Sequence, residues 1–250
     1  MNTTAHAAYA FLIYCFILQL FWHMWPNGCI CFFIIAAGMA PDLDGVFYVA
    51  IRKQSMNDPK SQHHLHSWTH WPSSYIPIVI VVALSIIFDF YPQVFLIALI
   101  GPGSHLLFDS ISCGDGMMWT ATWWGVKKGK FGKFVNLDSK KTDGYHGDYY
   151  TARYRQTKYF LLENIGAIAV IAILIWQWWV QGFDLGFVGG LLEIGVTVGL
   201  GLRPIDPKYL SEPPLGRYAD YHVDPNYVAW YQAKYGMLPP KKYGNENCIE

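Results

Sequence analysis

The chain has 250 residues, of which 53% are hydrophobic, 17% aromatic and only 14% charged, a balance too apolar for an ordinary water-soluble domain. Eighteen basic and eighteen acidic residues give a formal net charge of zero, which argues neither for nor against nucleic acid; no nucleic-acid partner is expected. The five cysteines are odd in number and lack paired spacing apart from Cys29-x-Cys31, which excludes a disulfide framework.

The apolar residues fall in runs at about 7–25, 28–51, 74–91, 93–112, 159–181 and 183–202. Most are near the roughly 20 residues that a bilayer-crossing helix requires. The expected fold is therefore all-α: a polytopic membrane helical bundle of about six transmembrane helices, the second of them broken. Four segments are expected, with a metal-site membrane core over 1–135, a cytoplasmic loop over 136–158, an added helix pair over 159–202 and an irregular cytoplasmic tail over 203–250.

The first span has no basic leader and is followed by Trp22-His23-Met24-Trp25-Pro26 rather than a small-residue cleavage site, so residues 7–25 are expected to remain in the mature chain. His6 opens this span, and His23 lies at its far end, about 25 Å away at the helical rise per residue. The second run carries Pro41-Asp42-Leu43-Asp44-Gly45. Pro41 removes an amide hydrogen and Gly45 frees the backbone, which predicts a break in the helix. Non-helical backbone at membrane depth is tolerated where protein buries it or it lines a wet cavity, so Asp42 and Asp44 are expected on the floor of a recessed pocket.

Residues 61–73 hold four of the nine histidines: His63, His64, His66 and His70. Protonated imidazoles so close together would repel one another, and a bound cation is a natural reason for them. The fourth run contains Gly101-Pro102-Gly103, a kink signal, one turn before His105. His105 and Asp109 are four apart, which places them on one helical face where both can reach one ion. Lys127, Lys128, Lys130 and Lys133, interleaved with aromatic residues, suit anionic membrane lipids at the interface, although a positive-inside flank accounts for the same pattern more simply. In the last run Glu193 is an isolated acid with no evident partner in the sequence. Glycines along this run favour close helix packing, as in a homo-oligomer or a larger membrane complex.

If the six spans alternate in direction, all 18 Lys and Arg fall on one side. That side is expected to be the cytoplasm, with both termini on it and the chain in the inner, cytoplasmic membrane.

The order Pro41-Asp42-x-Asp44, a His-rich segment ending in Thr69-His70, and Ser104-His105-Leu106-Leu107-x-Asp109, followed by a Gly- and Trp-rich stretch, resembles the membrane-bound metal-dependent hydrolase family typified by YdjM. That family is distantly similar to the zinc-dependent phospholipase C and P1 nuclease group. The resemblance covers roughly residues 6–135. It implies a divalent metal, zinc foremost and one to three ions, held by Asp42, Asp44, His66, His70, His105 and Asp109, with His64 and His6 as further ligands; Asp44, His70 and Asp109 would be catalytic. The family's middle motif spaces its histidines five apart, whereas five before His70 stands Leu65, between His64 and His66, so either of those two takes the usual place.

The function expected is hydrolysis of a phosphoester or other ester of a lipid-borne substrate through metal-activated water. Two other readings fit the residues. A non-catalytic accessory membrane subunit could retain the metal-binding core. A diiron desaturase-like enzyme would use His66-Ser67-Trp68-Thr69-His70, although the further His clusters of that chemistry are missing.

Overall fold

The computed structural model describes residues 2–52, 67–112, 117–118, 134–135, 137–138 and 147–211. Apart from a two-residue antiparallel pair, β1 (Met117–Met118) and β2 (Phe134–Val135), every regular element among them is helical, so the fold is all-α as expected. The helices are α1 (Thr3–Trp22), α2 (Gly28–Met39), α3 (Leu43–Arg52), α4 (Ile76–Ile87), α5 (Pro92–Ser112), α6 (Gly147–Tyr154), α7 (Lys158–Gln181), α8 (Leu185–Leu202) and α9 (Lys208–Ser211). The chain divides into two compact units. One comprises Met1–Leu43, Tyr75–Phe108 and Lys158–Arg203; the other comprises Asp44–Ser74, Asp109–Thr157 and Pro204–Glu250.

Among the described residues, five helical stretches are long and apolar enough to cross a membrane: Thr3–Trp22, Gly28–Val46, Pro92–Ser112, Lys158–Gln181 and Leu185–Leu202. Large apolar side chains on them, such as Phe16, Ile168, Trp179 and Val196, are exposed, as suits side chains facing lipid. The chain is accordingly a membrane protein.

In the first unit α1 is the central helix, packed against α2, α7 and α8. Its alanines (Ala5, Ala7, Ala8, Ala10) are fully buried, because a side chain this small lets neighbouring backbones come close. Tyr14 is buried too and donates its hydroxyl to the Gln93 carbonyl at 2.7 Å, so its polar end is satisfied inside the apolar core. The turns between helices are capped as their sequences dictate: the Asn27 side chain accepts from Ile30 N at 2.9 Å, and Asp184 accepts from Gly186 N at 2.7 Å.

Two glycines bring three helices together. A Cβ added to Gly101 of α5 would lie 2.5 Å from the Ala37 Cβ of α2, and one added to Gly38 would lie 2.6 Å from the His6 carbonyl oxygen and 2.7 Å from the Ala10 Cβ. Only a residue without a Cβ fits at either crossing.

Two local expectations are revised. At Pro41 the chain keeps helical character: α2 passes through a 3-10 turn, Ala40–Asp42, into α3, because a proline in a first turn needs no amide hydrogen. The third apolar run is helical only as a 3-10 turn, Pro72–Tyr75, followed by α4, an apolar stretch shorter than the other five. It ends where Asp89 and Tyr91 adopt positive φ ahead of Pro92.

In the second unit, Leu137 N and Asp138 N donate to the Ser110 and Ile111 carbonyls, each at 2.8 Å, and the Tyr150 hydroxyl donates to the Ser112 carbonyl at 3.0 Å. These bonds satisfy carbonyls in the last turn of a helix, which have no intrahelical partner.

The close approach at Gly38 is directly testable. Gly38→Val should lower stability by about 1–3 kcal/mol or more through overpacking, read as a fall in the thermal unfolding midpoint in detergent. Gly195→Val, where an added Cβ meets nothing within 4 Å, should leave the midpoint nearly unchanged.

Candidate metal centre

The first unit assembles His6, Asp42 and His105, which can each offer a ligand atom within 4.8 Å of the others. His105 is fully buried. Its Nδ1 lies 2.8 Å from the Gly38 carbonyl oxygen, and a carbonyl can only accept, so Nδ1 carries the proton. In the neutral ring the Nε2 lone pair is then directed outward, toward Asp42, whose Oδ1 is 3.4 Å away. The other Asp42 oxygen accepts from the Thr3 hydroxyl at 3.1 Å. The His6 ring stacks on that of His105 with centroids 3.7 Å apart and planes inclined by 19°. Two imidazolium rings at that distance would repel each other, and neutral imidazole is the form that binds metal.

The local fold explains the grouping. Gly38 allows α1 to lie against α2, which carries His6 to this place. Gly101 allows α5 to lie against Ala37, and one turn later His105 meets the carbonyl of the next residue, Gly38. Pro41 and the 3-10 turn then deliver Asp42.

The second unit groups Asp44, Thr69, His70 and Asp109. His70 sits at the end of a 3-10 turn, Trp68–His70, and is fully buried, as is Asp109. The His70 Nδ1 is 3.0 Å from Asp44 Oδ2, and its Nε2 is 3.9 Å from Asp109 Oδ2. The two carboxylates thus flank opposite nitrogens of one ring. A buried carboxylate away from water is costly without compensation, and a cation at the Nε2 side is one form that compensation can take.

The donor set suits a divalent metal. Bonds of about 2.0–2.2 Å arranged tetrahedrally put neighbouring ligand atoms about 3.3–3.6 Å apart. The 3.4 Å between His105 Nε2 and Asp42 Oδ1 falls in that interval, at the far limit for a hydrogen bond. The 3.9 Å at His70 and Asp109 is wider.

Of the residues singled out in the sequence, His6, Asp42 and His105 come together in one unit, and Asp44, His70 and Asp109 in the other. His64 and His66 lie outside the described residues. Glu193 has one carboxylate oxygen, Oε2, that is enclosed and makes no hydrogen bond among the described residues.

Glu163 was not foreseen. It is almost completely buried on α7, and a Cβ on Gly201 would come within 3.6 Å of Glu163 Oε1 and 3.4 Å of Thr4 Oγ1. Its position five residues after Lys158, in Lys158-Tyr159-Phe160-Leu161-Leu162-Glu163, reads as the polar flank of a span, and nothing in the sequence marks it as enclosed. No family model matches the chain, and neither a curated protein nor a solved structure matches it.

Proposed function

We propose that this chain is a membrane-embedded metal-dependent hydrolase. His6, Asp42 and His105 hold one divalent cation, and His70 with Asp109 holds another. Zinc is the ion that imidazole and carboxylate donors suit. The observation that carries this reading is the 3.4 Å separation of His105 Nε2 from Asp42 Oδ1, on a histidine whose other nitrogen is committed to a backbone carbonyl. A histidine ligand oriented in this way through its second nitrogen is the usual arrangement in metal sites. The sequence resemblance to the YdjM-like hydrolases points to the same residues.

A cation in such a place supplies Lewis acidity and brings the pKa of water toward about 7. The chain's own groups do the rest. The Gly38 carbonyl fixes the His105 ring, the Thr3 hydroxyl holds the Asp42 carboxylate, and the fully buried Asp109 and His70 keep bulk water from competing for polar contacts. Apolar helices around these groups favour an ester carried by a lipid, with a phosphoester as the leading class. In the orientation proposed, six spans alternate, both termini are cytoplasmic and the basic residues stay on that side.

Metal analysis of the purified protein tests the assignment. His105→Ala and Asp42→Ala should each release bound zinc, whereas His23→Ala, at the other end of α1, should retain it; full zinc in the first two variants would overturn the site. Hydrolysis of a panel of lipid phosphoesters should fall with metal removal and return with added zinc. His70→Ala should reduce kcat/KM by more than the about 10–100-fold typical of an outer ligand partner. Unchanged turnover in the metal-free protein would overturn the hydrolase reading.

A further inference from the structure

The second unit contains a hydrogen-bonded chain that the proposed ligand set does not use. Thr69 Oγ1 donates to Asp44 Oδ2 at 2.7 Å, and the same carboxylate oxygen lies 3.0 Å from His70 Nδ1. Thr69 Oγ1 is also 2.7 Å from the Ser67 hydroxyl and 3.2 Å from His70 Nδ1. The directions follow from proton counting. A threonine hydroxyl has one hydrogen, and the ionised carboxylate can only accept, so that hydrogen belongs to Asp44. Ser67 must therefore donate to Thr69. His70 Nδ1 faces two acceptors, Asp44 Oδ2 and the Thr69 lone pair, so it must carry a proton. That leaves Nε2, on the Asp109 side, as the nitrogen with a lone pair to give.

We propose that Thr69 is a positioning residue: with Asp44 it fixes His70 as the Nδ1-protonated ring and so presents Nε2 to a divalent cation. Asp44 thereby acts on the metal through His70, by way of its Oδ2, and Thr69 acts on Asp44. The inference rests on the metal-binding reading given above and adds roles for two residues to it. The backbone carbonyl of Gly38 does the same for His105 in the other unit, so His70 and His105 have Nδ1 committed by different kinds of acceptor.

Two measurements on the full-length protein in detergent test this. The first is zinc affinity, by competition with a chelator. Thr69→Val, which keeps the shape but loses the hydroxyl, should weaken one zinc site by about 10- to 100-fold, while Thr69→Ser should stay within a few-fold of wild type. Equal affinity in Thr69→Val overturns the proposal, as does an equal loss in Thr69→Ser, which would point to methyl packing.

The second needs no metal. With 15N-labelled histidine in the zinc-free protein, a His70 Nδ1 proton protected from exchange should be present in wild type and Thr69→Ser and lost in Thr69→Val. A His70 ring without that proton in wild type overturns the proposal. A protected proton in a wild-type protein that takes up no zinc overturns the metal reading instead, leaving the Thr69–Asp44–His70 hydrogen bonding intact.

Discussion

The first unit depends on how closely helices approach at Ala37 and Gly38. At those two residues α2 receives α5 on one side and α1 on the other, at distances that leave no room for a Cβ on Gly38 or on Gly101 opposite Ala37. In an apolar medium there is little hydrophobic drive between helices, so close packing of small residues is the main source of association. The same contact puts a backbone carbonyl, Gly38 O, within hydrogen-bonding distance of His105 and brings His6 against that ring. Packing and chemistry therefore share one cause. A side chain at Gly38 would separate the helices and move His6 away from His105 in the same step.

The polar groups collected here are expensive. His6, His70, His105 and Asp109 are all buried to 1% exposure or less, in a chain whose helices are built of Leu, Ile, Val and Phe. Such groups persist where each finds a partner or a cation. Both histidines that face a carboxylate across Nε2 have Nδ1 engaged on the opposite side, His105 by a carbonyl and His70 by Asp44. That common orientation, reached through different local structures, is what supports the proposal of metal binding over a simple buried ion pair. An ion pair would be served by shorter contacts than 3.4 and 3.9 Å.

Much of this was legible in the sequence. Long apolar runs give the helices and the membrane class, because hydropathy over about 20 residues is a strong local signal. The four-residue spacing of His105 and Asp109, and the carboxylates after Pro41, single out residues that the structure groups with other polar side chains, because such residues are rarely tolerated among apolar neighbours without a partner. His6 was reached through the family resemblance alone; nothing local distinguishes it from an interfacial histidine. The role of Gly38 was not legible, since it depends on which helices cross there, a tertiary fact. Glu163 escaped for the same reason: it is buried beside Gly201, a neighbour distant in sequence. The break expected at Pro41 became a 3-10 turn, because a proline that starts a helical turn costs little. The different placements of Asp42 and Asp44 were hidden too, since Asp-x-Asp does not say which nitrogen of which ring each carboxylate will meet.

The central claim is that buried imidazole and carboxylate groups of this chain coordinate a divalent ion directly. X-ray absorption at the zinc edge, on the protein purified in detergent with zinc as its bound metal, tests it most directly. The account predicts a first shell of nitrogen and oxygen at about 2.0–2.1 Å with the outer-shell scattering of more than one imidazole ring, part of which disappears in His105→Ala. A shell of sulfur, or of water oxygen without imidazole scattering, would contradict it.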